Sequence, residues 1–575
     1  MLNLIKKTPL DHLLPIMCRS QYLYIYYLMA LLLPNIALSV TEWMSPMARV
    51  TNVLLPGAVY ALLLTCSRKP GKMIWVLFPL VFFAAFQIVL LYLFGRSVIA
   101  VDMFLNLITT NPGEAMELLD NLVPGVAFVF IVYLPALFLG LCSLRMGDNL
   151  SPVFIRKARR YSLLSLIAGV LIFVFTSVSD SHFRASDHLY PVNVCYNAYL
   201  AVERTQKQIR YHDTSKEFRF DATSTRKDSI ETYVLVIGET ARACNFSLYG
   251  YDRDTNPQLS QVEGLCTFHK ALTESNTTHK SVPMLLSAAS ASDFERIYRE
   301  KSLITAFREA GFHTLFLSNQ RPNHSFIDFF GMEADEYHFL QEEYPGEEIP
   351  SDEDLILGVE QALSQPYAKQ LIVLHTYGSH FNYRERYPRS MACFTPDDRM
   401  EAKFENRSSL INAYDNSLRF TDHILARLTR LLAARGGISA WVYTSDHGED
   451  IFDDDRRCFL HASPLPTYYQ LHVPLWVWLS PDYRHRYPEV NEAVQSHVTS
   501  FVSTSESIFH TMLQLGGIST AVWDRHKSLC SPDFLDGSRC YLNDHNKSVR
   551  LEDMRWDPED YDQFKLREMQ HLIDR

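Results

Sequence analysis

Carboxylates and imidazoles recur where apolar runs of this chain end. "TYVLVIGET" runs into Glu239, "QLIVLHTYGSH" into His375 and His380, and "SAWVYTSDHGED" into Asp446 and His447. An ionised carboxylate at the end of a buried strand needs a cation, a cage of donors or a proton. One such residue alone is usually structural. Three separated runs that each deliver an acid or an imidazole point instead to a shared divalent cation. Asp, Glu and His without Cys form a borderline-hard donor set suited to Zn²⁺ or Mn²⁺. A candidate nucleophile lies in "TESNTTHKSVPML", where Thr277 and Thr278 stand at the entry to a helix and Pro283 is expected near its first turn. A hydroxyl there faces backbone N–H groups and the positive end of the helix dipole, as an attacking group or a phosphate requires.

The elements that must position these residues alternate between strand and helix from residue 232 onward. "TYVLVIG", "FHTLFLSN", "QLIVLH", "SAWVYTS" and "VPLWVWLS" read as strands. "SLITAFREAG", "EDLILGVEQALSQ", the long "SSLINAYDNSLRFTDHILARLTRLLAARGG" and "SESIFHTMLQLGG" read as helices. The alternation predicts an α/β domain with a mostly parallel sheet, helices covering both faces. Ligands of such sheets bind at the carboxyl ends of the strands, which brings Glu239, His375, His380, Asp446 and His447 to one edge.

The first third of the chain is different. The 575 residues are 47% apolar and 21% charged, but the average hides long apolar runs before about residue 180. Spanning helices of roughly 20 residues are expected at 21–40, 51–66, 73–94, 122–142 and 161–178. Lys6, Lys7 and Arg19 precede the first, Arg68, Lys69 and Lys72 follow the second, and Arg145, Arg156, Lys157, Arg159 and Arg160 follow the fourth. The intervening loops carry no such cluster, 41–50 having Glu42 and Arg49 and 95–121 having Asp102, Glu114, Glu117 and Asp120 against Arg96, so the N-terminus is expected in the cytoplasm and the C-terminal part outside. The basic start lacks a small-residue cleavage site, so the first run reads as an anchor. In "FLNLITTNPGEAMELLDNL", Asn106, Thr110 and Glu114 are spaced to share one face of a short helix lying at the outer boundary, which reads either as a solvated face or as a pocket for an amine-bearing lipid head group. Residues 181–230 read as a polar connector with helical potential near 195–210.

The net charge of −11, with no basic cluster in the second half, argues against nucleic acid as a partner. Seven of the 10 cysteines fall outside the membrane part, an odd number, and Cys530 with Cys540 is the expected local bridge.

Taken in order, "NLITTNPGEAMELL", "GETARACNFSLYGYDRDTNPQL", "TTHKSVP", "LHTYGSHFNYRERYP", "AYDNSLRFTD", "SDHGED" and "FLHASP" resemble the membrane-anchored phosphoethanolamine transferases. That family modifies lipid A and lipopolysaccharide core and includes members that confer polymyxin resistance. The resemblance covers nearly the whole chain. It implies a five-helix transmembrane domain over 1–180 with an interfacial helix near 98–119, a periplasmic linker over 181–230, and an alkaline-phosphatase-like (sulfatase) catalytic domain over 231–575. It implies a multi-pass protein of the bacterial inner membrane with that domain in the periplasm.

Residue by residue, the resemblance implies Zn²⁺ held by Glu239, Asp446, His447 and the nucleophile, which becomes Thr278, five residues before Pro283. His380 and His461 match histidines that contact the transferred phosphate or a second zinc. His375 is a further substrate-binding candidate near them, and Asn106, Thr110 and Glu114 match residues that hold the lipid donor. The implied reaction moves phosphoethanolamine from phosphatidylethanolamine to lipid A or a core oligosaccharide through a phosphoethanolamine–threonine intermediate. The alternative is a phosphoglycerol transferase of the lipoteichoic-acid-synthase type. Three departures stand out: Glu274 and Met284 occupy positions where relatives place cysteines, Ala243-Cys244-Asn245 follows "GETAR", and "LSNQRPNHSFID" lacks a lysine some relatives use.

Overall fold

The computed structural model describes residues 15–94, 98–109, 112–227, 230–343 and 350–574. The chain forms two compact units and passes from one to the other between Val202 and Glu203.

The first unit is helical: α1 (Ser20–Thr41), α2 (Pro46–Leu64), α3 (Pro70–Val76), α4 (Phe78–Phe94), α5 (Val101–Thr109), α6 (Pro112–Met146) and α7 (Pro152–Ser179). Among the described residues, four helices are long and apolar enough to cross a membrane: α1, α2, the Val126–Met146 part of α6, and α7. Helices α3 and α4 make a fifth if the pair is one span, but they are bent by 69°. The straight span expected over 73–94 is therefore broken. Pro79, second in α4, has no N–H to donate, and its ring clashes with the carbonyl four residues back, so the ladder stops near Leu77. Helix α7 packs closely on α2 because residue 169 is glycine: a Cβ there would lie 3.1 Å from Leu55 Cα.

The boundary helix expected near 98–119 is also different. Asn106 belongs to α5 and Glu114 to α6, so no single helix gives them a common face. Pro112 cannot extend an i→i−4 ladder and opens a new helix instead. Thr110 lies outside the described residues, as do the side chains of Asn106 and Glu114.

The connector carries α8 (Val192–Ile209), a helix where the sequence promised only helical potential. The second unit is built on β1 (Glu231–Gly238), β2 (Leu265–Thr267), α9 (Thr278–Leu286), β3 (His313–Ser318), β4 (Glu336–Phe339), β5 (Lys369–His375), α10 (Arg407–Arg435), β6 (Ile438–Ser445), β7 (Leu475–Leu479) and α11 (Thr504–Leu515). The seven strands lie in the order β2-β7-β6-β1-β5-β3-β4. All pairings from β6 to β4 are parallel, and β7 runs antiparallel to both its neighbours. On one face Tyr233, Leu235 and Ile237 share a core with Val282 and Leu285 of α9 and Phe509 and Met512 of α11. On the other, Trp441 of β6 donates from Nε1 to Thr429 of α10 at 3.0 Å. Two covered faces explain why these strands are continuous apolar runs rather than alternating ones.

The bridge expected between Cys530 and Cys540 is absent. Both are free thiols; Cys530 is buried in the core and Cys540 packs against it from the start of a short strand.

Candidate active site

Strand β1 is central, with β6 on one side and β5 on the other. Gly238 lies opposite Ser445, so the next residues of the two strands, Glu239 and Asp446, emerge together at the carboxyl edge. Thr240 then turns at φ 62°, donates its hydroxyl to Glu239 Oε1 at 2.6 Å and its N–H to Asp446 Oδ1 at 3.1 Å. His447 follows, its N–H on Asp446 Oδ1 at 2.7 Å and its Nδ1 2.9 Å from the Gly448 carbonyl. That contact leaves Nε2 facing the cluster, 3.2 Å from Asp446 Oδ2 and 3.5 Å from Glu239 Oε1.

One ligand atom from each of Glu239, Asp446 and His447 lies within 4.8 Å of the others, and all three residues are buried. Asp446 Oδ2 is buried and accepts no hydrogen bond of good geometry among the described residues. Burial pushes the Glu239 carboxyl up, with Asp446 adding to the effect, and burial pushes Asp446 up to about 6. Burial likewise pushes the His447 imidazole down. The two carboxyl shifts disfavour the charge that a ligand carboxylate carries, and a cation placed among them reverses that preference; the His447 shift favours the neutral imidazole, the form that binds a metal. The orphaned oxygen, the mutual distances and the O,O,N donor set all fit a divalent metal.

Thr278 opens α9, with Thr277 as its N-cap residue. The Thr278 hydroxyl lies 3.3 Å from Glu239 Oε2, 3.4 Å from Oε1 and 3.1 Å from His447 Nε2. Thr277 instead turns its hydroxyl to Ser275, 3.2 Å away, and does not join the cluster. Pro283 is the sixth residue of α9, deeper than the first turn where the sequence reading put it.

His461 joins from the turn after a short strand, its ring centroid 4.0 Å from that of His447 and 6.5 Å from that of His380. Burial first, then the neighbouring imidazoles, push the His461 pKa well down; burial also lowers that of His380. His375 stays apart. It is 1% exposed, its Nδ1 is 3.1 Å from Ser318 Oγ, and burial takes its pKa down to about 3. Its described contacts reach neither Thr278 nor the acidic pair.

Two participants were missed in the sequence. Gln320 donates to Glu239 Oε2 and to the Thr376 carbonyl, both at 3.0 Å. Glu449 is fully buried, with Oε2 3.2 Å from His461 Nδ1 and Oε1 receiving the Tyr383 hydroxyl. Glu449 was visible as the last letter of "DHGE", and Gln320 lies in the very segment searched for a lysine.

The site and sheet define a class that sequence comparison also identifies. The sulfatase family profile matches residues 231–518, and the chain belongs to the sulfatase family. Among individual proteins, it is 31% identical over 310 residues to phosphoethanolamine transferase EptA of Salmonella typhimurium. That alignment covers 52% of this chain and 55% of EptA, so the match spans about half of the relative's length. The fold matches that of the integral membrane protein lipooligosaccharide phosphoethanolamine transferase A from Neisseria meningitidis, with a TM-score of 0.71 and 20% identity, over 89% of this chain and 98% of that one. The second unit also matches the periplasmic domain of EptC from Escherichia coli in complex with Zn, with a TM-score of 0.52 and 24% identity, over 57% of this chain and 94% of that domain.

Proposed function

We propose that this protein transfers phosphoethanolamine from phosphatidylethanolamine to a lipid A or lipopolysaccharide-core acceptor, with Thr278 carrying the group between the two lipids. The observation that carries the reading is the Thr278 hydroxyl at the head of a helix, 3.1 to 3.4 Å from His447 Nε2 and both Glu239 oxygens. The names of the relatives support the transferred group, and the EptC–Zn complex supports the choice of metal.

Glu239, Asp446, His447 and Thr278 would hold Zn²⁺, which when bound supplies positive charge that lowers hydroxyl pKa values and offsets charge on a phosphoryl group. The chain's own residues account for the rest. Thr278 Oγ attacks the donor phosphorus; its bond to phosphorus forms as the bond to the diacylglycerol oxygen breaks, and that oxygen leaves with a proton. An acceptor oxygen then attacks the same phosphorus, and Thr278 is released. Splitting one displacement into two lets both lipids use one site in turn. His461 Nδ1 lies 3.2 Å from Glu449 Oε2, and where the ionised carboxylate accepts from Nδ1, Nε2 is left to accept a proton from an attacking hydroxyl. His380, with Nδ1 2.7 Å from the Phe381 carbonyl, is likewise fixed with Nε2 available. The α9 N-terminus adds N–H donors and dipole charge on the side of the transferred phosphate.

The membrane unit keeps both lipid substrates at high local concentration. Adding an amine to an anionic glycolipid weakens polycation binding, which connects this activity to polymyxin resistance. Purified full-length protein incubated with head-group-labelled phosphatidylethanolamine is expected to retain label, and Thr278→Ala is expected to lose it along with at least about 10³-fold of turnover. Retention of label by Thr278→Ala would remove the nucleophile. Labelling by phosphatidylglycerol but not by phosphatidylethanolamine would move the reading to a phosphoglycerol transferase.

A further inference from the structure

Helix α8 is built inside out. Its buried side carries Asn193 at 1% and Asn197 at 5% exposure, beside Val194 and Ala201. Its exposed side carries Val192 (46%), Tyr199 (63%) and Val202 (58%), with Cys195 exposed between them. The spacing of 192, 195, 199 and 202 places all four on one helical face. A helix in water shows the reverse pattern, with its apolar stripe turned inward.

The start of α8 has a fixed depth. The Tyr190 carbonyl accepts from Asn35 Nδ2 at 2.8 Å, and its N–H donates to Asn52 Oδ1 at 3.0 Å. Asn35 is six residues from the end of α1 and Asn52 six from the start of α2. At 1.5 Å per residue, both lie about 9 Å inside those spans. Val194 packs with Leu38 of α1 and Leu90 of α4. The helix therefore begins just inside the ends of those spans, at a depth where α7 likewise exposes Leu171, Phe175 and Val178 near its own end.

We propose that Val192, Cys195, Tyr199 and Val202 form a lipid-contacting surface that seats α8 in the phospholipid boundary of the bilayer, on the side where α1 ends. Aliphatic side chains and a tyrosine on one face suit the zone between head groups and acyl chains. The asparagines on the other face meet protein: Asn197 donates to the Ile99 carbonyl at 2.8 Å. The surface pins the chain at the membrane as it leaves the last span.

The exposed thiols of the chain are Cys66, Cys195 and Cys393. Full-length protein carrying Cys66→Ser and Cys393→Ser can be labelled at Cys195 with an environment-sensitive fluorophore and placed in phosphatidylethanolamine–phosphatidylglycerol vesicles. A spin-labelled lipid with its nitroxide near the head group is expected to quench the label by at least about twofold, while aqueous iodide has little effect. With Cys66→Ser and Cys195→Ser, a label on Cys393 should respond in the opposite way. Tyr199→Glu should reduce lipid quenching at Cys195 while the thermal melting of the protein is unchanged. Iodide quenching of Cys195 as strong as that of Cys393 would overturn the proposal. So would a Cys195–Cys195 disulfide between chains with the lipid quencher silent, which would assign the stripe to a second copy.

Discussion

At the scale of single residues, the site depends on side chains that are absent as much as on those present. Gly378 in "HTYGSH" has φ +52°, and a Cβ there would stand 2.7 Å from the Glu239 carbonyl oxygen and 2.9 Å from its nitrogen. Backbone cannot yield as a flexible side chain does, so Gly378→Ala must displace Glu239. Gly436 is a control: its φ is +72°, with nothing within 4 Å of the added Cβ. Both alanines bear the cost of a positive φ, on the order of 1–3 kcal/mol, and Gly436, at ψ −179°, lies in a region that only glycine adopts readily. Only Gly378→Ala is expected to lose about 10- to 100-fold in turnover, because displacing a group by an ångström costs rate far from its own stability effect. Parallel melting curves and rates on the two variants check this; equal rates would mean that Glu239 does not need its observed position. The strand-end acids and His447 were legible in the sequence because each ends an apolar run. Gln320 was not, since a neutral amide in a turn-rich segment carries no periodic or charge signal, and its role arises only when the loop after β3 folds over β1. His375 shows the limit of that signal: being at a strand end says nothing about which side of the sheet edge a ring faces.

At the scale of elements, α9 is held at both ends by one carboxyl. Glu274, four residues before Thr278, accepts the Ala291 N–H at 2.6 Å on one oxygen and the Ser538 hydroxyl at 3.0 Å on the other. The segment from 274 to 291 is thus a closed clasp around the nucleophile's helix, at the position where the family resemblance led one to look for a cysteine. Burial pushes Glu274 up to about 7, with Glu506 adding repulsion. Glu506 in turn accepts the Ser538 N–H at 2.7 Å and lies 3.4 Å from Lys527 Nζ. A carboxyl raised in the fold favours its neutral form there. Its stabilising contribution is full below the unfolded value near 4.3 and is lost as pH rises to about 7. Glu274→Gln mimics the neutral acid without titrating. Its melting temperature is expected to match wild type near pH 4 and to exceed it above pH 8, by an amount worth roughly 3 to 4 kcal/mol. Melting curves at the two pH values decide it; a variant less stable at both would show that the charged form is the one the clasp uses. This device was invisible in the sequence, because Ser538 and Ala291 are distant in the chain and of common type. Helices α10 and α11 were legible from their periodicity, whereas the bend between α3 and α4 was not, since hydropathy averages over the proline that causes it.

At the scale of the whole molecule, the order of parts followed from composition alone: apolar spans, connector, then a strand–helix alternation that folds as a sheet with β1 at its centre. Orientation in the membrane is a separate physical question, decided by where lysine and arginine accumulate. Arg68, Lys69 and Lys72 crowd the turn between α2 and α3, and that turn also carries the exposed thiol Cys66. The second unit carries another exposed thiol, Cys393. On the proposed orientation, the basic loops would put Cys66 in the cytoplasm, and an odd number of spans between the N-terminus and residue 181 would put Cys393 on the other side of the membrane. The bent pair α3–α4 is the critical step: counted as one span it gives five crossings and opposite sides, and counted as a re-entrant hairpin it gives four and the same side. A thiol reagent that passes the outer but not the inner membrane is expected to label Cys393 in intact cells and Cys66 only after the inner membrane is opened. Labelling of both thiols in intact cells, or of neither, would make α3–α4 a re-entrant pair, and labelling of neither would also separate Thr278 from any lipid donor drawn from the outer leaflet of that membrane.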